Sequence, residues 1–405
     1  MTTAHPDRSR APGHAGEATD RMQLVSANHA AAIAATLAAR ANRRGRGFGS
    51  GVYPITPQTE CIEYLCGQTI EKGQVVRVES EHSAMAVCMG FSLAGARTFT
   101  ASSSNGLAYM TENVFAAGFY RLPIVMMAVN RTLGPPWNLW ADHGDTMALR
   151  DAGWVQLYCE DNQEVADSIL AAYRLGEDRR VLLPVLVCQD AFILSHTMMM
   201  TDLPDQETVD RFLPPLDLPH RLADRPRVIG GLDYPRQTEG HRLQHIEAMR
   251  AVPEVYREVQ GAFADTFGRK LADPVVPYRM EDAEVVILSI GTMASTVRVA
   301  VDAARERGVR AGSLRVRMFR PLPDEVLRTS LARAKRVGII DRNLCPGLGG
   351  ILWGEARGLA PAGSIVQNYL AGVGGGDVRP EHITGVIDDL CARERAGEPR
   401  FMEVG

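Results

Sequence analysis

The chain has 405 residues, 45% of them apolar and 23% charged, with a formal net charge of −4. That length supports two or three domains with buried cores, and the near-balanced charge gives no electrostatic footprint for nucleic acid or an anionic membrane surface. No apolar run approaches the roughly 20 residues of a membrane span.

Residues 1–22 are polar and rich in Pro, Gly, Ala and Arg, lack the apolar centre of a secretory signal, and read as a disordered tail. An alanine-rich helix follows over 26–42, with Ser26 as N-cap. A strand over 49–57 leads into a helix over 57–66 that Thr56 is placed to cap. Next come a strand at 75–78, a helix of small residues over 81–95, a strand at 98–102 and a helix over 106–119. The apolar run 124–129 is a buried strand, 148–151 a helical turn, 155–159 a strand, 162–175 an amphipathic helix and 181–187 a strand. Such alternation predicts a doubly wound parallel sheet. From 204 to 235 prolines and charges break every period, and a helix recovers over 238–268. A second α/β unit starts near 283: strands at 285–290, 312–317, 337–341 and 365–369, with helices over 294–307 and 324–334.

Seven cysteines are scattered along the chain without a Cys-x-x-Cys pair. The pattern points to a reducing cytoplasm, and against both a disulfide framework and an iron–sulfur cluster on this chain. His82 and His143 lack metal-ligand spacing, so no metal site is expected. The Ser102-Ser103-Ser104 run lacks a nucleophile elbow. Gly347-x-Gly349-Gly350 reads as a tight turn rather than a phosphate loop.

Polar clusters stand where apolar strands end, at 53–57, 79–83, 102–106 and 130–143, the positions where open α/β sheets build sites. Glu81 opens a helix, either as an acid favoured by the helix dipole or as a catalytic acid/base. Arg131 ends an apolar strand, either binding a substrate carboxylate or forming a surface salt bridge. Trp137, Trp140 and Trp154 read as core, although Trp137 follows two prolines past a strand end and is placed to wall a pocket.

Taken in order, these stretches resemble the alpha subunits of the multisubunit pyruvate:ferredoxin oxidoreductases, within the 2-oxoacid:acceptor oxidoreductase family. Tyr53-Pro54-Ile55-Thr56-Pro57 carries the resemblance most specifically. Ser80-Glu81, Thr98-Phe99-Thr100-Ala101-Ser102, Arg150-Asp151, Asp161-Asn162-Gln163-Glu164, Leu183-Pro184-Val185, Arg320-Pro321 and Asp341-Arg342-Asn343 follow at the family's spacing.

The resemblance implies a thiamine diphosphate pyrimidine-binding domain over 23–235, a helical linker over 236–280 and a transketolase C-terminal-like α/β domain over 281–405. The Gly-Asp-Gly mark of a diphosphate-and-magnesium domain is absent, and Gly144-Asp145-Thr146 does not replace it. A separate beta subunit is therefore expected to complete the thiamine diphosphate site and carry the Mg2+. Gamma and ferredoxin-like delta subunits are expected to supply 4Fe-4S clusters, with ferredoxin or another acceptor beyond them. By the same resemblance Glu81 meets the aminopyrimidine ring, Pro54 and Ile55 lie beside it, and Thr56 and Arg131 hold the 2-oxoacid, with Trp137 and Asn138 bordering the pocket. Coenzyme A takes the acyl group.

Pyruvate is the first substrate expected. Trp137, in Gly134-Pro135-Pro136-Trp137-Asn138, departs from the run usual in pyruvate enzymes and admits phenylglyoxylate, another bulky 2-oxoacid, or oxalate. Gly376 stands where the family often has arginine. A structural or assembly subunit without catalysis is the rival reading.

Overall fold

Short β-rich runs separated by small-residue or amphipathic helices bury both faces only as parallel sheets covered by helices. The computed structural model, which describes residues 21–222, 224 and 228–402, has that architecture twice. The first unit runs β1 (Met22–Val25), α1 (Ala27–Ala41), β2 (Phe48–Val52), α2 (Thr59–Cys66), β3 (Gly73–Arg77), α3 (Glu81–Leu93), β4 (Arg97–Ser102), α4 (Ser104–Tyr109), α5 (Thr111–Phe119), β5 (Ile124–Asn130), α6 (Gly144–Met147), β6 (Val155–Tyr158), α7 (Asn162–Gly176), β7 (Val185–Asp190), β8 (Met199–Asp202), α8 (Gln206–Phe212) and α9 (Pro235–Phe267). The second runs β9 (Val275–Tyr278), β10 (Val285–Ser289), α10 (Met293–Glu306), β11 (Ala311–Val316), β12 (Met318–Arg320), α11 (Asp324–Leu331), β13 (Arg336–Asp341), α12 (Ile351–Ala356), β14 (Ile365–Leu370), α13 (Pro380–Ala392) and β15 (Arg400–Phe401).

The first sheet has the order β12-β6-β7-β5-β4-β2-β3, and the second β15-β14-β13-β10-β11-β9. In the first, the chain lays β3 on one side of β2 and β4 on the other, so the order reverses between β2 and β4. In the second it reverses between β10 and β13. Crevices open at both reversals, beyond the carboxyl ends of the strands. The two sheets are also joined: β12 leaves the second unit and pairs antiparallel with β6 on the edge of the first.

Helix α1 is almost wholly alanine on its buried positions and packs against α7 and α2, small side chains allowing close approach. Ser26 caps it, its hydroxyl accepting from the His29 amide at 3.4 Å. Arg97 is fully buried yet paired: its Nε and Nη2 donate to the two Glu177 oxygens at 2.6 Å, which offsets the cost of its burial.

Several expectations about elements are corrected. Thr56 does not cap the following helix. Its N-cap position is Gln58, and Thr56 belongs to the turn before it. The helix expected over 106–119 is two, α4 and α5, meeting at Met110. The helical turn at 148–151 is preceded by the true helix, α6, whose start at Gly144 carried no apolar period to reveal it. The strand expected from 181 begins at Val185, because Leu182 takes φ 41° and Pro184 cannot donate to a ladder. The segment 204–235 contains α8, capped by Asp205. Strands β1, β8, β9 and β12 were not foreseen, being edge strands of three or four residues. The tail expected over 1–22 lies outside the described residues as far as residue 20, and its end is corrected, since Met22 already opens β1 opposite Asp202.

The Gly347–Gly350 stretch is a tight turn, as its sequence suggests. The Asp341 carboxylate already accepts the amides of Leu352 and Trp353 at the head of α12, at 2.8 and 3.2 Å. A side chain at Gly350 would collide with that carboxylate, the added Cβ coming within 1.9 Å of Oδ2.

Candidate active site

Three segments meet at the reversal in the first sheet: the turn after β2, the head of α3 after β3, and the junction of β4 with α4. Ser80 is extended, at φ −162° and ψ 161°, and its hydroxyl accepts from the Ser83 amide at 3.2 Å. That cap starts the helix at Glu81 and leaves the glutamate side chain in the first turn, where the helix dipole favours a carboxylate. Glu81 is only 8% exposed. Among the described residues its carboxylate has no hydrogen bond and no ion pair.

Gly106 explains the room available to Glu81. A Cβ at that position would lie 2.5 Å from Ser102 Oγ and 2.7 Å from Glu81 Oε1. Ser102 is fully buried, and its hydroxyl has no partner. Replacing Gly106 with alanine should therefore push the Glu81 carboxylate aside. We expect turnover of the assembled enzyme to fall by about 100-fold, the scale for a displaced reacting group. Unchanged turnover with the folded content of the wild type would remove this glycine from the site.

Arg131 follows the apolar strand β5 and is 4% exposed. It is not the surface salt bridge that sequence left open. Its Nη1 donates to the Thr56 carbonyl at 2.5 Å, and its Nε has no partner. Burial lowers its pKa below the usual arginine value, while the charges of Asp145 and Glu81 pull it up. Arg131 thus faces the same crevice as Glu81. The Trp137 indole lies against it, the guanidinium carbon 4.9 Å from the ring centroid. Trp137 and Trp140 are half exposed, and only Trp154 is core, its indole N–H donating to Val114 O at 2.8 Å.

Asp145 anchors this arrangement and was missed from sequence. It is buried in α6 and accepts four donors: the amides of Ser104, Arg131 and Thr146 at 2.9, 3.0 and 2.7 Å, and the Asn130 side chain at 2.8 Å. Burial raises its pKa to about 6 against those donors. The Gly-Asp-Thr context offered one signal, an acid at the start of a short helix, but comparison with the diphosphate motif set it aside. The Ser104 hydroxyl adds a tie to the Thr132 carbonyl.

Of the remaining expected site residues, Pro54 and Thr56 are exposed in the turn after β2 and Ile55 is partly so. The Asn138 amide is engaged elsewhere. It donates to Gly374 O at 2.7 Å and accepts from the Trp140 amide at 3.0 Å. Gly374 in turn donates its N–H to Asp142 at 2.8 Å. The loop carrying Arg131 and Trp137 is therefore tied to the glycine turn of the second unit.

Residues 49–261 match the family described as pyruvate flavodoxin/ferredoxin oxidoreductase, thiamine diphosphate-binding, and residues 283–383 match pyruvate:ferredoxin oxidoreductase core domain II. The chain is 41% identical to pyruvate synthase subunit PorA of Methanothermobacter thermautotrophicus over 370 residues, 90% of this chain and 94% of that one. The chain belongs to the pyruvate flavodoxin/ferredoxin oxidoreductase family. Ketoisovalerate oxidoreductase subunit VorA of Pyrococcus furiosus is as similar, 41% identical over 91% of this chain and 93% of its own. In fold, the chain resembles a 2-oxoglutarate:ferredoxin oxidoreductase from Magnetococcus marinus, with TM-score 0.72 and 19% identity over 96% of this chain and 68% of that one. It also resembles a split-gene transketolase, with TM-score 0.51 and 12% identity over 92% of this chain and all of that one.

A pyruvate flavodoxin/ferredoxin oxidoreductase subunit of this kind belongs to a thiamine diphosphate-dependent 2-oxoacid:ferredoxin enzyme built from several subunits. The residues present fit that cofactor. The Ser102 hydroxyl is buried and unpartnered beside the Glu81 carboxylate, which makes no hydrogen bond among the described residues, and Gly106 removes the side chain that would fill the crevice between them.

Proposed function

We propose that this chain is the catalytic alpha subunit of a 2-oxoacid:ferredoxin-type oxidoreductase. The reaction is oxidative decarboxylation of a 2-oxoacid, pyruvate first, with coenzyme A to acyl-CoA, carbon dioxide and reduced acceptor. The observation that carries this reading is Glu81, 8% exposed and with no hydrogen bond to its carboxylate among the described residues, beside the unpartnered Ser102 hydroxyl and the charge of Arg131. A decayed structural subunit would have no reason to keep an acid at this crevice free of internal partners.

In this reading residues 23–235 form the pyrimidine-binding domain, 236–280 a helical linker and 281–405 the transketolase C-terminal-like domain. Glu81, with Pro54 and Ile55, would hold the aminopyrimidine ring of thiamine diphosphate, and its carboxyl group would be the place where a proton is held. Bound thiamine diphosphate supplies the carbanion chemistry that decarboxylation needs. Thr56 orients the carbonyl side of the 2-oxoacid. Arg131 uses its spare donors for the carboxylate and is itself aimed by the Thr56 carbonyl and by Asp145. Asn138 shapes the pocket by tethering the loop to Gly374. A beta subunit carries the diphosphate site and Mg2+, gamma and ferredoxin-like delta subunits carry the 4Fe-4S clusters, and the complex is cytoplasmic.

A second reading concerns the substrate alone. Trp137 against Arg131 narrows or reshapes the acid pocket and favours phenylglyoxylate, another bulky 2-oxoacid, or oxalate over pyruvate. The test is reduction of a low-potential dye by the complex purified with its partners, given pyruvate, 2-oxobutyrate, 2-oxoglutarate, oxalate or phenylglyoxylate. Rapid reduction with one acid names the substrate. With that acid, Arg131→Ala should raise KM by about 10- to 100-fold with a smaller change in kcat, the scale of a lost charge-assisted hydrogen bond. No reduction by any acid, with cofactor and clusters intact, would overturn the catalytic reading.

A further inference from the structure

The second sheet has its own reversal, between β10 and β13, and nothing in the proposed reaction uses it. The segment after β10 gives Thr292 and the head of α10, and the segment after β13 gives Arg342. A cleft of about 540 Å³ opens there, within the range of small-molecule sites. Its walls come from both units: Trp140, Leu194 and Met199 from the first, Thr296 and Val378 from the second.

Arg342 is the feature that needs an explanation. It is 6% exposed and lines this cleft. Its Nε has no hydrogen-bond partner, and among the described residues its guanidinium makes neither a hydrogen bond nor an ion pair within 4.0 Å. Arg97, Arg315 and Arg317 are at least as buried and are paired with carboxylates, whereas Arg131, without an ion pair among the described residues, faces the other crevice. The carboxylates of Asp142 and Asp190 feel the charge of Arg342 but do not touch it, so its donors stay open to an anionic ligand.

The acids nearby are otherwise engaged. Glu160 is paired with Arg298 and Arg315. Asp190 is held by His143 at 2.7 Å and by the Thr292 hydroxyl. Asp142 accepts from Gly144 and Gly374 at 2.8 Å. Asp377 at the rim lies 3.7 Å from Arg379.

We propose that this cleft binds a small organic anion, its carboxylate or phosphate head on Arg342 and its apolar part against Trp140, Leu194 and Met199. The site is separate from the Glu81 crevice, but an occupant would touch the same loop. Gly375 packs so closely on Trp140 that an added Cβ would lie 2.1 Å from the Trp140 Cβ. The adjoining Gly374 holds Asn138 and Asp142.

Hexanoate and hexyl phosphate are the probes, titrated calorimetrically into the assembled complex. One saturable site per copy of this chain is expected, weakened at least tenfold by Arg342→Gln. Thr296→Trp leaves Arg342 in place but fills the cleft, and should also weaken binding at least tenfold. Competition by inorganic phosphate assigns the head group to phosphate, and its failure to compete assigns it to carboxylate. The proposal is overturned if neither probe saturates a site, or if both bind Arg342→Gln and Thr296→Trp as they bind the wild type.

Discussion

Replacing Glu81 with glutamine should lower turnover of the cofactor-loaded complex by about 100- to 10,000-fold, the range for loss of a positioned general acid or base. The change keeps the side chain's shape and removes only its ability to carry and exchange a proton. The fold should tolerate it. Glu81 makes no hydrogen bond within the described residues, and the cap that starts α3 belongs to Ser80. The stability loss is confined to the carboxylate's interaction with the helix dipole, about 0.3–1 kcal/mol. Turnover and melting temperature should therefore separate: the first collapses and the second barely moves. Turnover within threefold of the wild type would take the catalytic role away from Glu81 and leave the buried carboxylate unexplained.

The largest loss of stability is expected from Glu164→Ala. Glu164 lies in the first turn of α7 and accepts the Glu160 amide at 2.6 Å, yet its charged partners come from the second unit. Arg315 donates to its two oxygens at 2.7 and 3.0 Å, and Arg317 donates at 2.6 Å. Arg317 is fully buried and also binds Ser168 Oγ at 2.6 Å and the Tyr256 hydroxyl. Burial pushes the Glu164 carboxyl up, but Arg317 and Arg315 outweigh it and hold the pKa below the ordinary value. Removing the carboxylate strands the buried Arg317 cation and leaves Arg315 with Glu160 alone, which costs about 3–5 kcal/mol.

The sign with pH follows. A depressed folded pKa gives stability that is present above the unfolded value of about 4.3 and lost as pH falls through the folded one. Urea unfolding at neutral pH should show the full loss for Glu164→Ala, and acidification should narrow the gap to wild type. Adding Arg317→Met should recover part of the loss, since it removes one stranded charge. A loss below about 1 kcal/mol would mean that solvent reaches these cations.

Most of the first sheet was legible because its strands are short buried runs punctuated by turn residues, most plainly the apolar Ile124–Asn130. Ser26 announced its helix for a local reason, a hydroxyl placed before a run of helix formers. What escaped depended on distant partners. Strand β12 is three residues long and is a strand only because β6 has a free edge. The site divided in the same way. Glu81 and Arg131 stand out by residue type at strand and helix ends, whereas Asp145 matters through donors 14 and 41 positions away in sequence. Trp140 reads as core by composition, yet it is exposed against the glycine turn of the other unit. Arg342 could be counted but not weighed, since only the packed structure shows that its Nε donor has no partner.

The crossing of Met318–Arg320 into the first sheet has a consequence for heredity and for the bench. A gene fragment ending near residue 280 would encode that sheet without its last strand, leaving the edge of Val155–Tyr158 open to pair with a neighbouring molecule. The complementary fragment would carry the missing strand with nothing to lie against. Neither half is a free module, so recombination that exchanges one fold for a homologue's must carry a matching edge with it. The interval between the two family matches, 262–282, is where alignments would place a cut, and the polypeptide is already committed to both sides of it.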